Sequence, residues 1–227
     1  DWGAKGAAVG FPEAEWISTL SRALRMEDVI TDQIAMFEEH EDLGDDFGLY
    51  VDEWGTWYDP EPGREPGFLY QQNTLRDAVL TAVNFNLFHH YAERVHMTNI
   101  AQMVNVLQAM ILTDGDDMLL TPTYHVYGMY KVFQDATSIP FTINGGEYKQ
   151  GDQSLPAVTA SIAKGQDGKV YIALVNLDPA NEAEVALDFD NGDYSSLIGQ
   201  ILTADAITAK NTFDAKEVVK PASFSSD

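Results

Sequence analysis

The residues of this chain best equipped for chemistry lie in the decapeptide LYVDEWGTWY, residues 49–58. Its apolar start predicts a short buried strand, which ends at Asp52 and Glu53. Trp54 and Trp57 follow these carboxylates. A carboxylate can meet the positive charge that develops at a sugar ring during glycoside hydrolysis, and a flat aromatic face can pack against a sugar. The pattern is therefore typical of a sugar-cleaving site.

The two carboxylates are not equivalent in this interpretation. Because successive residues of a strand point to opposite faces, Asp52 and Glu53 are predicted to point apart, so that only one of them faces the site. For Asp52 we expect a structural role, such as a hydrogen bond to loop backbone. For Glu53, an acid at the end of a surface strand is the ordinary alternative to catalysis, and the motifs around it favour catalysis.

The elements that must position these residues alternate between helix and strand. Apolar periodicity predicts helices over residues 13–40, 74–91 and 100–112 and from Pro122 onward, and strands over residues 47–53, 94–97 and 118–120. Acidic residues 42–46 with Gly44 form a predicted turn, and residues 59–67 a Pro- and Gly-rich loop. This alternation is typical of part of a (β/α)8 TIM barrel, in which chemistry lies at the carboxyl ends of strands.

The pattern changes near Thr137. Short apolar runs separated by Gly, Asp and Asn then predict strands over residues 141–143, 157–163, 170–175, 184–189 and 195–202. Such a series indicates an antiparallel, jelly-roll-like β-sandwich. The predicted fold is therefore α/β plus all-β, with the C-terminal portion of a barrel over residues 1–136 and a β-sandwich domain over residues 137–227.

Composition excludes several classes of function. The 227 residues include 13 basic and 36 acidic ones, for a net charge of −23, which disfavours nucleic acid and anionic membrane surfaces as partners. The absence of cysteine excludes disulfides and thiolate metal sites. No apolar run approaches the roughly 20 residues of a membrane span. We expect a soluble bacterial protein, cytoplasmic or secreted to the periplasm or beyond.

The remaining titratable residues predict structure rather than chemistry. His89 and His90 are adjacent, so they do not share a helix face and make a poor chelate. No catalytic metal and no cofactor are expected. Arg76 is predicted to form a buried or half-buried ion pair, for which Asp77 is too near in sequence to be the obvious partner.

Four segments carry a resemblance to a known family: LYVDEWGTWY, YDPEPGREPGFLYQQNTLRDAV, ERVHMTNIAQMVNVLQAMILT and TPTYHVYGMY. In this order they resemble the C-terminal half of a glycoside hydrolase family 51 α-L-arabinofuranosidase. The resemblance covers residues 2–136 with specific motifs, and continues more weakly to Asn211-Thr212-Phe213 and Pro221. The opening residues resemble the segment after barrel strand six, and they begin without methionine, so we expect an incomplete N-terminus.

The resemblance implies a retaining mechanism in which Glu53 is the nucleophile. The second carboxylate of that family, the acid/base, belongs to an Asn-Glu pair at an earlier strand end. The pair Asn181-Glu182 lies after the nucleophile in the all-strand region and matches nothing of that motif. The resemblance therefore implies that the acid/base is absent from this chain. As a lone polypeptide the chain is predicted to be inactive, with the missing N-terminal half as its partner.

The resemblance also assigns substrate-binding residues. Trp57 matches a tryptophan that lines the arabinose pocket, and Gln102 matches a glutamine that contacts the sugar near the nucleophile. Trp54 is expected to help shape the site. Core packing for Trp57 and a satisfied buried amide for Gln102 are the ordinary alternatives.

Three functions fit the sequence. The resemblance favours release of terminal α-L-arabinofuranosyl units from arabinan, arabinoxylan and related oligosaccharides. A related retaining glycosidase, such as a xylosidase or endoglucanase, would keep the fold and change the substrate. A non-catalytic carbohydrate-binding module would use the β-sandwich instead of Glu53. The resemblance also implies a homo-oligomer, because that family is often oligomeric.

Overall fold

The computed structural model describes residues 6–40, 47–190, 194 and 196–226. Its helices are α1 (Glu13–Leu24), α2 (Met26–Glu38), α3 (Leu75–His90) and α4 (Pro122–Tyr130). Its strands are β1 (Leu49–Trp54), β2 (Val95–Ile100), β3 (Ile111–Asp114), β4 (Asp117–Leu120), β5 (Thr137–Ser138), β6 (Glu147–Gln150), β7 (Gln153–Pro156), β8 (Val158–Lys164), β9 (Val170–Asn176), β10 (Leu197–Ile201) and β11 (Ala222–Ser226). The predicted turn at residues 42–46 lies outside the described residues, as do residues 191–193 between two of the predicted strands.

The first predicted helix, over residues 13–40, divides into α1 and α2 at Arg25. The N–H of Arg25 donates to the carbonyl of Arg22 at 3.1 Å, so the backbone tightens there into a turn of the 3-10 type. The prediction of one long helix is therefore wrong. The apolar stripe on which this prediction rested is interrupted at Glu27. The Glu27 carboxylate accepts a hydrogen bond from Tyr91 Oη at 2.8 Å.

The strand that ends at the candidate carboxylates belongs to a parallel pair. β1 lies beside β2, with Leu49 opposite Val95 and Trp54 opposite Ile100. Helix α3 connects the two strands and begins with a capping box, in which the Thr74 side chain accepts from backbone N–H and the side chain of Asp77 accepts from the Thr74 N–H. The predictions of strand, helix and strand in this part are confirmed, and that they belong to the C-terminal portion of a (β/α)8 barrel stays a prediction.

Residues 100–112, predicted as a helix, are not helical. The chain runs from β2 through an irregular segment into β3, which pairs with β4 as an antiparallel hairpin. Asn105 and Leu107 adopt φ of 61° and 52°, which a right-handed helix cannot accommodate. The Gln108 N–H donates to Ala101 O at 2.8 Å. Tertiary partners thus replace the helical hydrogen bonds that the apolar spacing suggested.

Antiparallel strands dominate the second half of the chain. They form a three-stranded sheet in the order β5-β8-β9 and the two-stranded sheets β6-β7 and β10-β11. The strands predicted over residues 157–163, 170–175 and 195–202 are confirmed, with small shifts in their bounds.

Two other strand predictions in this half are wrong. Residues 141–143 and 184–189 form no strand, and Phe141 and Ile143 are exposed, so their apolar character reflects no inward face. The sequence pattern also misses the β6-β7 hairpin, whose residues are mostly polar. Gly151, with φ of 58°, supplies the left-handed residue that its tight turn requires.

One apolar cluster joins the two halves. It contains the following buried residues from both: Trp16, Ile17, Leu20, Trp54, Leu80, Val83, Phe88, Tyr148, Leu155, Val175, Leu177 and Val219. The indole N–H of Trp16 donates to Leu177 O at 2.9 Å across this cluster. Helix α1 is therefore anchored to the β-rich half, and the division into domains at residues 136 and 137 stays a prediction.

Candidate active site

Glu53 and Asp52 are both exposed at the end of β1. The register of β1 on β2 shifts between Val51 and Trp54, since three steps along β1 match two steps from Thr98 to Ile100 along β2. This bulge interrupts the simple alternation of side chains between Val51 and Trp54. That only one of the two carboxylates faces the site stays a prediction. Bulges of this kind re-aim side chains, and they are common beside active sites.

Trp54 is buried in the core beneath the strand end. Its ring makes edge-to-face contacts with Phe85 and Phe88 of α3, at centroid distances of 5.7 and 5.4 Å. The indole Nε1 has no hydrogen-bond partner among the described residues. Trp54 therefore supports β1 from the core.

Trp57 lies three residues after the strand, half-buried, at the wall of a cavity of about 480 Å³. The lining residues come from α1 and α2, from the segment after β1 and from α3; they include Arg22, Arg25, Asp28, Trp54, Thr56, Trp57, Leu80 and Asn84. Glu53 and Gln102 do not line this cavity. This cavity therefore does not enclose Trp57 together with Glu53.

Gln102 lies at the corresponding end of the neighbouring strand. It is exposed, it follows Ala101 through a cis peptide bond, and its N–H donates to Val106 O at 3.1 Å. The Ala101 N–H donates to Trp54 O at 2.8 Å. This bond links the residue after Glu53 to the residue before Gln102, so the two predicted site residues lie at the same edge of the parallel pair.

A buried amide that sequence reasoning missed lies under this edge. Gln108 is fully buried, and its Oε1 accepts from the Thr56 N–H at 3.0 Å. Its Nε2 donates to Asp77 O at 3.0 Å, Thr81 Oγ1 at 2.8 Å and Thr123 Oγ1 at 3.2 Å. One side chain therefore joins the segment after β1 to α3 and α4. A glutamine in an apolar run was the only signal in the sequence.

Asp77 is the second buried polar residue beneath the strand end. Its carboxylate accepts from Thr56 Oγ1 and Tyr58 Oη, both at 3.0 Å, and from the Thr74 N–H at 2.7 Å. Burial raises the pKa of Asp77, and the charge of Arg76 acts in the opposite direction. Burial also raises the pKa of Tyr58 well above its ordinary value, so this phenol remains a hydrogen-bond donor.

Gln71 completes the attachment of the segment after β1. Its Oε1 accepts from the Tyr58 N–H at 3.0 Å, and its Nε2 donates to Thr56 O at 3.2 Å. Thr56 and Tyr58 therefore have their backbone and hydroxyl groups bound to buried partners on both sides of Trp57. The arrangement makes the segment that carries Trp57 rigid.

Arg76 confirms the expectation of a buried or half-buried ion pair, and Glu15 is the partner. Its guanidinium has no exposed surface and lies between the rings of Phe11 and Tyr58, at 3.5 and 4.1 Å from their centroids. Its Nη2 donates to Ala7 O at 2.8 Å, and its Nη1 lies 4.0 Å from Glu15 Oε2. Arg76 thus ties the start of the described chain to α3.

The Asn181-Glu182 pair lies in an exposed loop after β9. The N–H and the side-chain amide of Asn181 donate to the Asp178 carboxylate at 3.1 and 2.9 Å, so this asparagine stabilises the loop. This placement agrees with its rejection as an acid/base motif.

Residues 6–40, 47–190, 194 and 196–226 contain no group of three or more His, Asp or Glu residues that could hold a metal ion. In the same ranges, no helix has the length and apolar character needed to cross a membrane. That the reaction needs no metal or cofactor stays a prediction.

Comparison with known proteins identifies the family. The model of the α-L-arabinofuranosidase C-terminal domain matches residues 52–227. The chain belongs to this family. The family resemblance in the sequence is therefore confirmed, and the exposed acid at the end of β1 lies within the matched part of an α-L-arabinofuranosidase C-terminal domain.

Individual relatives agree with this assignment. The intracellular exo-α-L-arabinofuranosidase of Bacteroides ovatus is 42% identical over 223 residues, which are 98% of this chain and 43% of that protein. The crystal structure of the GH51 arabinofuranosidase from Xanthomonas axonopodis pv. citri matches with a TM-score of 0.95 and 50% identity, over 99% of this chain and 45% of that one. The Thermotoga maritima α-L-arabinofuranosidase in its arabinose complex, 21% identical with a TM-score of 0.73, over 96% of this chain and 46% of that one, supports the fold alone.

The chain spans less than half the length of each of these three relatives.

Proposed function

We propose that this chain is the nucleophile-carrying half of a retaining α-L-arabinofuranosidase that releases terminal arabinofuranosyl units from arabinan, arabinoxylan and related oligosaccharides. The observation that carries the proposal is the position of Glu53 in a member of this family. It is exposed at the carboxyl end of β1 and held beside the end of β2 by the bond from Ala101 N to Trp54 O.

The proposed reaction has two displacements. A carboxylate oxygen of Glu53 bonds to the anomeric carbon while the bond to the leaving alcohol breaks, and that alcohol takes a proton from a carboxylic acid. In the second displacement, water bonds to the anomeric carbon and the ester bond to Glu53 breaks. The residue that gave its proton to the leaving alcohol, now a carboxylate, takes the proton of this water. Retention requires the two carboxyl groups to lie about 5–5.5 Å apart.

The proposed N-terminal half supplies the second carboxylate. Residues 1–136 would then be the last part of a (β/α)8 barrel, in which β1 and β2 are strands seven and eight, and residues 137–227 would be a β-sandwich domain. The parallel β1-α3-β2 unit and the antiparallel sheets beyond Thr137 support this division. The lone chain would be inactive for lack of the acid/base.

Substrate contacts are proposed for the residues that flank the nucleophile. Gln102 is exposed at the end of β2 and would donate a hydrogen bond to a sugar hydroxyl. Trp57 is half-buried, so part of its ring can pack against arabinose. Trp54 would shape the site indirectly, by packing under β1 against Phe85 and Phe88.

The test replaces Glu53 in the protein that combines this chain with the N-terminal half. Glu53→Ala should lower turnover of nitrophenyl α-L-arabinofuranoside by about a thousandfold or more. Added azide should restore release of nitrophenol and give an arabinosyl azide of inverted configuration, because azide enters the space of the missing carboxylate. Asp52→Ala, on the same strand end, is the matched control and should keep most of the activity. Full activity of Glu53→Ala would reject the proposal.

Substrate class needs a separate comparison. The unchanged protein should hydrolyse the nitrophenyl arabinofuranoside faster than nitrophenyl xyloside and cello-oligosaccharides. Preference for either of the other two substrates would keep the nucleophile and change the assigned activity. Sugar binding without any hydrolysis would instead indicate a carbohydrate-binding module.

A further inference from the structure

We infer that Gln108 is a positioning residue, which sets the placement of Glu53 relative to Gln102 by joining the ends of β1 and β2. The inference rests on the proposed function for its consequence in turnover, and on the buried hydrogen bonds for its geometry. Gln108 itself is fully buried and therefore touches no substrate.

The connection between the two strand ends is a closed ring of hydrogen bonds. The Ala101 N–H donates to Trp54 O at 2.8 Å, and the Gln108 N–H donates to Ala101 O at 2.8 Å. The Thr56 N–H then donates to Gln108 Oε1 at 3.0 Å. The ring therefore returns to the segment after β1 within two residues of its start, and it includes the neighbours of both Glu53 and Gln102.

The orientation of the Gln108 amide is determined by its surroundings. Thr81 Oγ1 donates its proton to Asp77 O at 2.8 Å, and Thr123 Oγ1 donates its proton to Asn73 Oδ1 at 3.0 Å. Both hydroxyls can therefore only accept from Gln108 Nε2. The Gln108 amide therefore fits these surroundings in one orientation, with its oxygen toward the Thr56 N–H and its nitrogen toward the acceptors.

Gly55 fits closely against the same amide. Its φ is 136°, and a Cβ atom there would lie 3.3 Å from Gln108 Oε1 and 3.4 Å from Ala101 O. The backbone after Glu53 thus contacts both the Gln108 side chain and the strand end that leads to Gln102. A shift of Gln108 would be transmitted directly to this backbone.

The test compares Gln108→Met with a matched control, Asn211→Leu, in the protein that combines this chain with the N-terminal half. Asn211 is an equally buried amide. Its Nδ2 donates to Leu120 O at 2.9 Å and to Val219 O at 3.0 Å, and its Oδ1 accepts from the Val219 N–H at 2.8 Å, so these bonds lie outside the ring of hydrogen bonds around Gln108. Both variants lose a buried amide and should lower the unfolding temperature similarly.

Only Gln108→Met should lower kcat, by about 10- to 100-fold, because a misplacement of about 1 Å costs that much in turnover. KM should change by less than about threefold, since the amide acts on the placement of the nucleophile. Gln102→Ala should lower kcat less in the Gln108→Met background than in the unchanged protein, because Gln108→Met has already displaced Gln102 relative to Glu53. A normal kcat of folded Gln108→Met, an equal loss in Asn211→Leu, or strictly additive effects would overturn the inference.

Hydrogen exchange gives a readout that does not depend on turnover. The amides of Thr56 and Ala101 should exchange faster in Gln108→Met than in the unchanged protein and in Asn211→Leu, because their ring of bonds is opened. Unchanged exchange would also overturn the inference. If Gln108→Met shows this faster exchange but the unchanged protein hydrolyses no arabinofuranoside, the proposed function alone is contradicted.

Discussion

The carboxylate of Asp77 is bound entirely by protein groups. It accepts hydrogen bonds from Thr56, Tyr58 and Thr74, and burial raises its pKa. A buried carboxylate is tolerated only where donors and a cation compensate for lost hydration, and here the guanidinium of Arg76 is the nearby cation. Asp77 thus connects the start of α3 to the segment that carries Trp57.

Asp77→Ala should lower the free energy of unfolding by about 3–5 kcal/mol, because it leaves several buried donors without an acceptor and removes the Asp77 half of the capping box. Denaturant unfolding measures this change. Asp167→Ala is the control, since Asp167 is an exposed acid bound by Lys169 and Tyr171, and it should lower the free energy of unfolding far less than Asp77→Ala does. Similar losses in the two variants would show that the Asp77 network contributes little.

His89 links α3 to β8 through Ser161 Oγ, which lies 2.7 Å from its Nδ1. Burial lowers the pKa of His89 from 6.5 to about 4. Because the unfolded chain binds the proton more readily, this group favours the folded state above about pH 6.5, and that stability is lost as the pH falls toward 4.

The free energy of unfolding should therefore decrease from pH 7 to about 4.5 by about 2–3 kcal/mol more in the unchanged chain than in His89→Gln. The difference between the two proteins is the relevant quantity, because many acidic groups titrate in the same range. His90→Gln alters the exposed neighbour and should behave like the unchanged chain. Parallel curves for all three proteins would exclude His89 as the titrating group.

At the scale of elements, local pattern predicts structure where packing agrees with it. The strand at residues 47–53 and the helix at residues 74–91 satisfy both, and Pro122 starts α4 at the first-turn position that proline favours. The parallel pairing of β1 and β2 also follows, because a helix connects them. Hence the proximity of Glu53 and Gln102 could be inferred from the sequence.

The pattern fails where tertiary bonds decide. Residues 100–112 have helical spacing, but Asn105 and Leu107 adopt positive φ and Gln108 binds groups from three other segments. A single sequence does not show which buried groups will hydrogen-bond to a given amide side chain. The register shift between Val51 and Trp54 could not be predicted for the same reason.

Replacing either of two glycines by alanine should change the free energy of unfolding, in opposite directions at the two positions. Gly168, in the turn between β8 and β9, has φ of 80°, so Gly168→Ala should destabilise the chain by about 1 kcal/mol. Gly128 is exposed within α4 with open space around it, so Gly128→Ala should stabilise by about 0.5–1 kcal/mol. Urea unfolding measures both, and changes of the same sign would contradict these backbone assignments.

At the scale of the whole molecule, the parallel pair leaves apolar surface uncovered. Among the residues that the structure describes, β1 and β2 form a two-stranded sheet, and Tyr50 and Met97 on it are 54% and 45% exposed. A two-stranded sheet with exposed apolar side chains gains stability when further structure covers it. The proposed N-terminal half would supply that cover together with the second carboxylate.

The isolated chain should therefore show no hydrolysis of nitrophenyl α-L-arabinofuranoside, whereas the chain combined with the N-terminal half should be active. Size-exclusion chromatography of the two purified halves should show that they associate, and activity should appear in the fraction that contains both. If the isolated chain hydrolysed the substrate as fast as the two halves together, the claim that this chain lacks the acid/base would be contradicted.

The central claim is that Glu53 forms a covalent bond to the sugar. The direct measurement is mass spectrometry of the combined protein after reaction with a fluorinated arabinofuranoside, which forms the glycosyl-enzyme faster than it hydrolyses. The account predicts a single arabinosyl adduct on the peptide that contains residues 49–58, assigned by fragmentation to Glu53. An adduct on Asp52 or on another carboxylate of the protein would contradict it.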